Sequence, residues 1–174
     1  MIYLVNYRSR GVEPLKSIMH LSEAEAMKLA GQLYDANPCP AHRRFGPDFP
    51  QYYAHRKKTE AWLYEAFVRL GGMPETHHPY YFAVERSESL LRNFGDTVET
   101  RLPLDDIDPA VISFTLGDSV AQMEASERHE PFTLQTFRDS LAEHNENIDQ
   151  WLDEIQGTYK IIEAQVWSAR YFNA

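Results

Sequence analysis

Four residues combine the functional groups that hold a phosphate and stabilise a developing positive charge. Arg8 stands near the start of the chain, Ser113 and Thr115 stand past its middle, and Glu163 stands near its end. An arginine binds a phosphate through two parallel hydrogen bonds, and a carboxylate aimed at a reacting carbon stabilises positive charge in the transition state. We therefore predict a cleft in which Arg8, Ser113 and Glu163 are catalytic and Thr115 binds the ligand.

The order of arginine, Ser-x-Thr and glutamate resembles the order in one class of ADP-ribosyltransferases, which use NAD. The resemblance implies that Arg8 holds the NAD phosphates, that the hydroxyls of Ser113 and Thr115 brace the nicotinamide pocket, and that Glu163 hydrogen-bonds a ribose hydroxyl. Those enzymes usually carry a second acid or a glutamine two residues before the glutamate, whereas this chain has Ile161 there and Gln165 two residues after it. An NAD-dependent enzyme is the alternative interpretation of the chain, and NAD is expected as a cofactor only under it.

The segment that holds Glu163 places further polar groups beside it. Side chains alternate across a strand, so Glu163 shares one face with Gln165 and Trp167. Gln165 and Trp167 are therefore candidate ligand-binding residues. The structural alternative is a solvated or partly covered sheet face, with Arg8 as a surface charge.

Two turns carry further candidate ligand-binding side chains. Asp118 lies in a Gly-Asp-Ser turn and offers a carboxylate beside backbone N–H groups, but Asp in such a turn also bonds its own backbone. His77 and His78 precede Pro79, and a histidine in a cleft can act as an acid or a base because it titrates near neutral pH. The structural alternative for both histidines is a polar turn.

Metal binding and phosphate-loop chemistry are not expected. Cys39 and His42 have the CxxH spacing of zinc ligands, but no second pair follows them. Neither GxxxxGK[ST] nor GxGxxG occurs, which argues against a P-loop or Rossmann nucleotide site. Cys39 is the only cysteine, so a disulfide within the chain is impossible and a cytoplasmic location is expected.

Length and charge narrow the class of protein. The chain has 174 residues, which favours a single domain over 1–174. Its net charge of −9 argues against nucleic acid as a partner, because phosphate neutralisation needs a cationic surface. No apolar stretch approaches the ~18 residues of a membrane span, so no membrane partner is expected.

Residues 1–87 hold 11 Lys/Arg against 9 Asp/Glu, and residues 88–174 hold 6 against 17. The two halves could pair within one chain or between chains, and pairing between chains would give a homodimer.

The order of helices and strands predicts the fold that must position these residues. Ser22 and Glu25 match a capping box at the start of a helix. Helices are predicted over 22–36, 52–70, 88–94, 133–144 and 148–155, strands over 2–6, 15–19, 80–85, 97–102, 111–116 and 159–167, and a loop over 37–50. Strict alternation of strand and helix is absent, so we predict an α+β domain with a mainly antiparallel, mixed sheet and helices packed on it.

Four segments of the chain are MIYLVNYRSRG, WLYEAFVRLGGMPETHHPYYF, LPLDDIDPAVISFTLGDS and YKIIEAQVW. Together they resemble an uncharacterised family of small bacterial proteins. The resemblance implies a bacterial cytoplasmic domain, and it transfers no functional residue because no activity is assigned to the family. The chain carries no complete catalytic signature, so the preferred interpretation is a soluble binding or interaction domain.

Overall fold

The computed structural model describes residues 1–13, 17–36, 39–123 and 129–172. Its strands are β1 Tyr3–Ser9, β2 Tyr80–Val84, β3 Thr97–Pro103, β4 Ile112–Leu116, β5 Phe132–Thr133 and β6 Ile162–Val166. Its helices are α1 Glu23–Ala36, α2 Phe49–Arg69, α3 Glu88–Phe94, α4 Leu134–Glu143 and α5 Ile148–Ile155. Short 3-10 turns lie at Ile18–His20, Pro40–Phe45, Leu104–Asp106 and Pro109–Val111.

The strands of the described residues form one sheet in the order β3-β1-β2-β6-β4-β5, and every neighbouring pair is antiparallel. The predicted α+β class with an antiparallel sheet is confirmed. Ala83 lies opposite Val5 on one side and opposite Glu163 on the other, and Glu163 lies opposite Thr115. Opposite residues of antiparallel strands share a face, so these four residues form a row across the sheet.

One face of the sheet carries the main hydrophobic core. Phe114 of β4 stacks on Phe137 of α4 with 4.7 Å between ring centroids, and Trp151 of α5 packs beside Phe137. The buried sheet residues of this core are Leu4, Phe82, Val84, Ile112, Ile162, Ala164 and Val166. Burial of each large apolar side chain contributes about 1.5–3 kcal/mol, and this apolar contact holds α4 and α5 on the sheet.

The opposite face is covered by helices α2 and α3. Trp167, which follows β6, stacks on Phe67 of α2 with 6.1 Å between ring centroids. Phe94 of α3 stacks on Tyr7 of β1 with 6.4 Å between ring centroids. These contacts hold α2 and α3 over the face that carries Glu163.

The predicted strand over 15–19 is wrong in the part that the structure describes. Ile18–His20 forms a 3-10 turn, and residues 14–16 lie outside the described residues. The Ser17 hydroxyl accepts a hydrogen bond from the backbone N–H of Met19 at 3.2 Å. This cap stabilises a helical turn where the apolar residue types favoured an extended strand.

The predicted loop over 37–50 contains helical structure. Pro40 begins the 3-10 turn Pro40–Phe45, and Pro50 lies in the first turn of α2. The first N–H groups of a helix have no partner inside the helix, so proline is well tolerated there. The prolines therefore start helical segments at these two points rather than exclude them.

Candidate functional site

A cavity of about 1050 Å³ lies between the sheet and the helices of the first half. Val5, Ala83 and Glu163, three members of the row across the sheet, form part of its wall. Helix α2 and the turn after β4 contribute Tyr52, His55, Arg56, Asp118 and Val120. Ala83 carries only a methyl group, so it leaves open space beside the Glu163 carboxyl.

Glu163 is a buried carboxyl whose hydrogen bonds all end on one oxygen. Ser119 donates to Oε1 from its hydroxyl at 2.6 Å and from its backbone N–H at 3.3 Å. Gln165 Nε2 donates at 2.9 Å, and the Thr115 hydroxyl shares its one proton between Oε1 at 3.4 Å and the Gly117 carbonyl at 3.3 Å. Among the described residues, none donates to Oε2. Glu163 is 8% exposed and borders the cavity.

The environment of Glu163 keeps it protonated at neutral pH. The pKa of this carboxyl is raised from 4.5 to about 8, because burial and the charge of Asp118 raise it by more than the hydrogen bonds from Ser119 and Gln165 lower it. Because Oε1 accepts four hydrogen bonds, the proton belongs on Oε2. The protonated acid therefore offers an O–H group on the side that has no protein partner among the described residues.

A second layer of buried residues fixes the orientation of Glu163. Trp167 Nε1 can only donate, and it donates to Ser113 Oγ at 2.9 Å. The Ser113 hydroxyl in turn donates to Gln165 Oε1 at 2.9 Å, so Gln165 Nε2 points to Thr115 Oγ1 and Glu163 Oε1, each at 2.9 Å. These predicted site residues hold Glu163 in place and are not part of the cavity wall.

The structure brings the predicted Arg8 and Glu163 to the same cavity. Arg8 Nη1 donates to the carbonyl of Val12 at 2.7 Å. Its Nε atom is buried and has no hydrogen-bond partner among the described residues. Arg8 is therefore a cation with one unsatisfied donor at the border of the cavity. Ser113 reaches Glu163 only through Gln165.

A buried ion-pair cluster on α2 was missed by the sequence analysis. Glu60 is fully buried and accepts from Arg56 Nε at 2.8 Å and from His78 Nδ1 at 2.6 Å. Arg56 borders the cavity, and its guanidinium lies 5.1 Å from the ring centroid of Tyr81. The signal in the sequence is the spacing of Arg56 and Glu60, four residues apart on a helix.

Tyr81 is the second residue that sequence reasoning missed. It lies opposite Gln165 in the sheet and borders the cavity. Its hydroxyl is buried and has no hydrogen-bond partner among the described residues. Burial raises the pKa of this phenol well above its ordinary value, the charge of Glu60 raises it further, and the charge of Arg56 opposes the rise. Tyr81 therefore stays protonated and holds an unused donor.

The histidine turn lies apart from the cavity wall. His78 bonds Glu60, and the His77 ring lies 5.7 Å from the ring of Tyr64. Neither histidine borders the cavity, whereas Asp118 does. Asp118 Oδ1 also accepts from the backbone N–H of Ala121 at 2.9 Å, which is the turn geometry expected of it.

The CxxH pair is part of a buried polar contact. Cys39 Sγ lies 3.8 Å from Ser9 Oγ, and His42 Nε2 lies 3.4 Å from the same oxygen. In the described ranges, no group of three or more His, Cys, Asp or Glu residues is placed to hold a metal ion.

No family model, curated protein or solved structure matches the chain. None of the helices in the described part of the chain combines the length and the apolar composition of a membrane span. The cavity and the groups in its wall are therefore the features that bear on function.

Proposed function

We propose that the protein binds a small organic molecule in the cavity and that Glu163 is its central contact. The observation that carries the proposal is a buried carboxylic acid, oriented by a second layer of hydrogen bonds, at the border of a cavity of about 1050 Å³. Ligand sites usually have volumes of about 300–1,000 Å³. The cavity has room for a compound of nucleotide size.

The unsatisfied polar atoms support the same proposal. Buried polar groups in folded proteins almost always have hydrogen-bond partners, yet Arg8 Nε and Tyr81 Oη have none among the described residues. Both residues border the cavity. A ligand with acceptor oxygens would satisfy these donors, and this favours an oxygen-rich or anionic compound over a purely apolar one.

Blocking the cavity should abolish ligand-induced stabilisation. A thermal-shift screen of nucleotides, sugar phosphates and aromatic acids tests binding to the wild type. At about 100 times Kd, a ligand adds about 2.7 kcal/mol to the free energy of unfolding, or roughly 5–10 °C in Tm for a chain of this length. Ala83→Leu fills the space beside Glu163 and should remove the shift.

Ala54→Leu is the matched control, since it makes the same change on an exposed position of α2 outside the cavity wall. It should bind the ligand as the wild type does. A ligand that stabilises wild type and Ala83→Leu equally binds elsewhere, and this result would contradict the proposal.

NAD-dependent ADP-ribosyl transfer is the second candidate function. It is favoured by the presence of Arg8 and Glu163 at one cavity and by the chain of hydrogen bonds from Ser113 through Gln165 to Glu163. In this reaction the Arg8 guanidinium would bind a phosphate of NAD. The Glu163 carboxyl would hydrogen-bond a ribose hydroxyl. Ser113 would act as a positioning residue.

Under this second candidate, Glu163→Gln should abolish NAD turnover without unfolding the protein. Release of nicotinamide from NAD above about pH 8, where Glu163 is ionised, is the measurement, and a loss of roughly 10²–10³ in kcat is expected for one electrostatic contact in the transition state. Adding Gln165→Glu to the Glu163→Gln variant supplies a carboxyl two residues away, and it should not restore activity if Glu163 itself contacts the ribose. No nicotinamide release by the wild type would exclude this candidate.

A further inference from the structure

Two O–H donors without partners among the described residues belong to neighbouring strands of the cavity wall. Ala83 lies opposite Glu163, and Tyr81 lies opposite Gln165, on the same pair of strands. Tyr81 and Glu163 are therefore diagonal neighbours on one face of the sheet, where side chains lie about 7–8 Å apart at the backbone. Both side chains border the cavity, and only the methyl group of Ala83 stands beside them on β2.

Neither donor is used by the described residues. Tyr81 Oη is buried and has no hydrogen-bond partner. The four hydrogen bonds that Glu163 accepts all end on Oε1, so Oε2 is left for the proton and for a ligand. The Arg56 guanidinium lies 5.1 Å from the Tyr81 ring centroid and is paired with the Glu60 carboxylate at 2.8 Å.

We propose that Tyr81 Oη and Glu163 Oε2 form an oxyanion site, which takes one negatively charged or strongly polarised oxygen of a ligand such as a phenolate or an enolate. This inference deepens the proposed function and rests on the cavity being a ligand site. A tyrosine paired with a protonated carboxylic acid is an established way to bind such an oxygen. Both groups donate a hydrogen bond to the ligand oxygen. Both are also neutral, so neither repels a negatively charged oxygen.

The surroundings of the pair keep both protons in place near neutral pH. The charged and titratable groups that face it are Tyr52, Arg56 and Glu60 on α2 and Asp118 after β4, while Arg8 and His55 border the same cavity. Asp118 and burial disfavour ionisation of Glu163. The carboxylate of Asp118 also disfavours a dianion in this space, so inorganic phosphate should compete poorly with a phenolate.

Binding of 4-nitrophenol tests the site, because its phenolate form absorbs visible light and its phenol form does not. Wild-type protein should bind the phenolate and increase the ionised fraction at a fixed pH. Loss of one hydrogen bond to a charged oxygen weakens binding roughly ten- to hundredfold, and this is the effect expected for Tyr81→Phe. Tyr53→Phe is the matched control, since Tyr53 is buried on α2 and lies outside the cavity wall.

The Tyr81→Phe protein should fold normally, because the hydroxyl that it loses has no partner. Removing an unsatisfied buried polar group does not destabilise a protein, so its Tm should equal or exceed that of the wild type. A weakened affinity together with an unchanged Tm assigns the effect to the ligand contact.

The pH dependence of phenolate affinity distinguishes the contribution of Glu163 from that of Tyr81. Above about pH 8, ionised Glu163 repels the phenolate, so wild-type affinity should fall. In Glu163→Gln the amide group replaces the O–H donor and does not ionise, so its affinity should stay level through the same range. Equal pH profiles for the two proteins, or equal affinities of Tyr81→Phe and wild type, would overturn the oxyanion site.

The experiments distinguish a failure of the oxyanion site from a failure of the proposed ligand-binding cavity. If 4-nitrophenolate does not bind but another compound stabilises the wild type and not Ala83→Leu, the oxyanion site is overturned and the proposed function stands. If no compound distinguishes wild type from Ala83→Leu, the proposed function fails as well.

Discussion

Glu163→Gln should become steadily more stable than the wild type as the pH rises from 5 to 8. Folding raises the pKa of the Glu163 carboxyl from 4.5 to about 8. Between these values the folded protein holds a proton that the unfolded chain releases. The free energy of unfolding of the wild type therefore falls by about 1.4 kcal/mol for each pH unit in this range.

Glutamine copies the protonated acid and carries no proton that can be lost. Its amide oxygen can accept the bonds from Ser119 and Gln165 that Oε1 accepts in the wild type. The difference in the free energy of unfolding between the variant and the wild type should therefore grow by about 4 kcal/mol from pH 5 to pH 8. Below about pH 4.5 and above about pH 8 the difference should be level.

Urea unfolding followed by tryptophan fluorescence at several pH values measures this difference. Other groups contribute to both proteins, among them Asp108, whose pKa is lowered by its hydrogen bond from Ala110 and by Arg170. These contributions cancel when the two proteins are compared. The free energy of unfolding of Glu65→Gln, a variant at an exposed position of α2, should change with pH in parallel with that of the wild type. Parallel curves for Glu163→Gln would show that Glu163 is ionised in the folded protein at neutral pH.

Local sequence patterns predicted the elements around the site well. The capping box at Ser22 is present, with Glu25 Oε2 accepting the Ser22 N–H at 3.0 Å. Alternation in the last strand correctly placed Glu163, Gln165 and Trp167 on one face, since the period of two is fixed by backbone geometry. The two-residue strand Phe132–Thr133 was missed because it is too short to show any period.

Which residues line the cavity depends on long-range contacts that local sequence patterns do not predict. Tyr81 meets Glu163 only because β2 pairs with β6 across roughly 80 residues of chain, in a register set by the whole sheet. Residues His55 to Lys58 form a run of basic side chains, a composition typical of a solvated helix face. Only the packing of α2 against the sheet buries Glu60 and turns Arg56 toward the cavity.

The helix that covers this face of the sheet also determines what the predicted polar strand residues contact. Trp167 stacks on Phe67, and this contact holds helix α2 over the face that the sequence analysis gave either as a ligand-binding face or as a solvated or partly covered one. Ser113 and Gln165 are fully buried as a result. Buried polar groups must bond one another, so these two residues became the support of Glu163 rather than ligand contacts.

Glu60→Gln should destabilise the protein by about 3–5 kcal/mol. Glu60 is fully buried and holds Arg56 and His78 through separate oxygens. The Arg56 side chain is only 11% exposed, so the loss of the carboxylate leaves a desolvated cation without its partner. Breaking one side of a buried ion pair typically costs about 3–5 kcal/mol. For a chain of this length, Tm should fall by roughly 6–20 °C.

Glu65→Gln is the control on the same helix, and its effect should stay within about 0.5 kcal/mol because Glu65 is exposed. If Glu60→Gln costs no more than this control, the buried pair contributes nothing and the assignment of Arg56 as a fixed cation at the cavity is wrong. Circular dichroism melting curves of the two variants measure the comparison.

The double variant Arg56→Met/Glu60→Gln identifies the source of the loss. Glutamate and glutamine have similar helix propensities, so the single substitution does not weaken α2 as a helix. Methionine removes the unpaired charge and fills the space of the arginine stem, and at least half of the lost stability should return. A recovery of stability that is larger than additive effects allow would show that the loss in Glu60→Gln comes from the guanidinium that is left without Glu60. It would also show that Glu60 fixes a positive charge beside Tyr81.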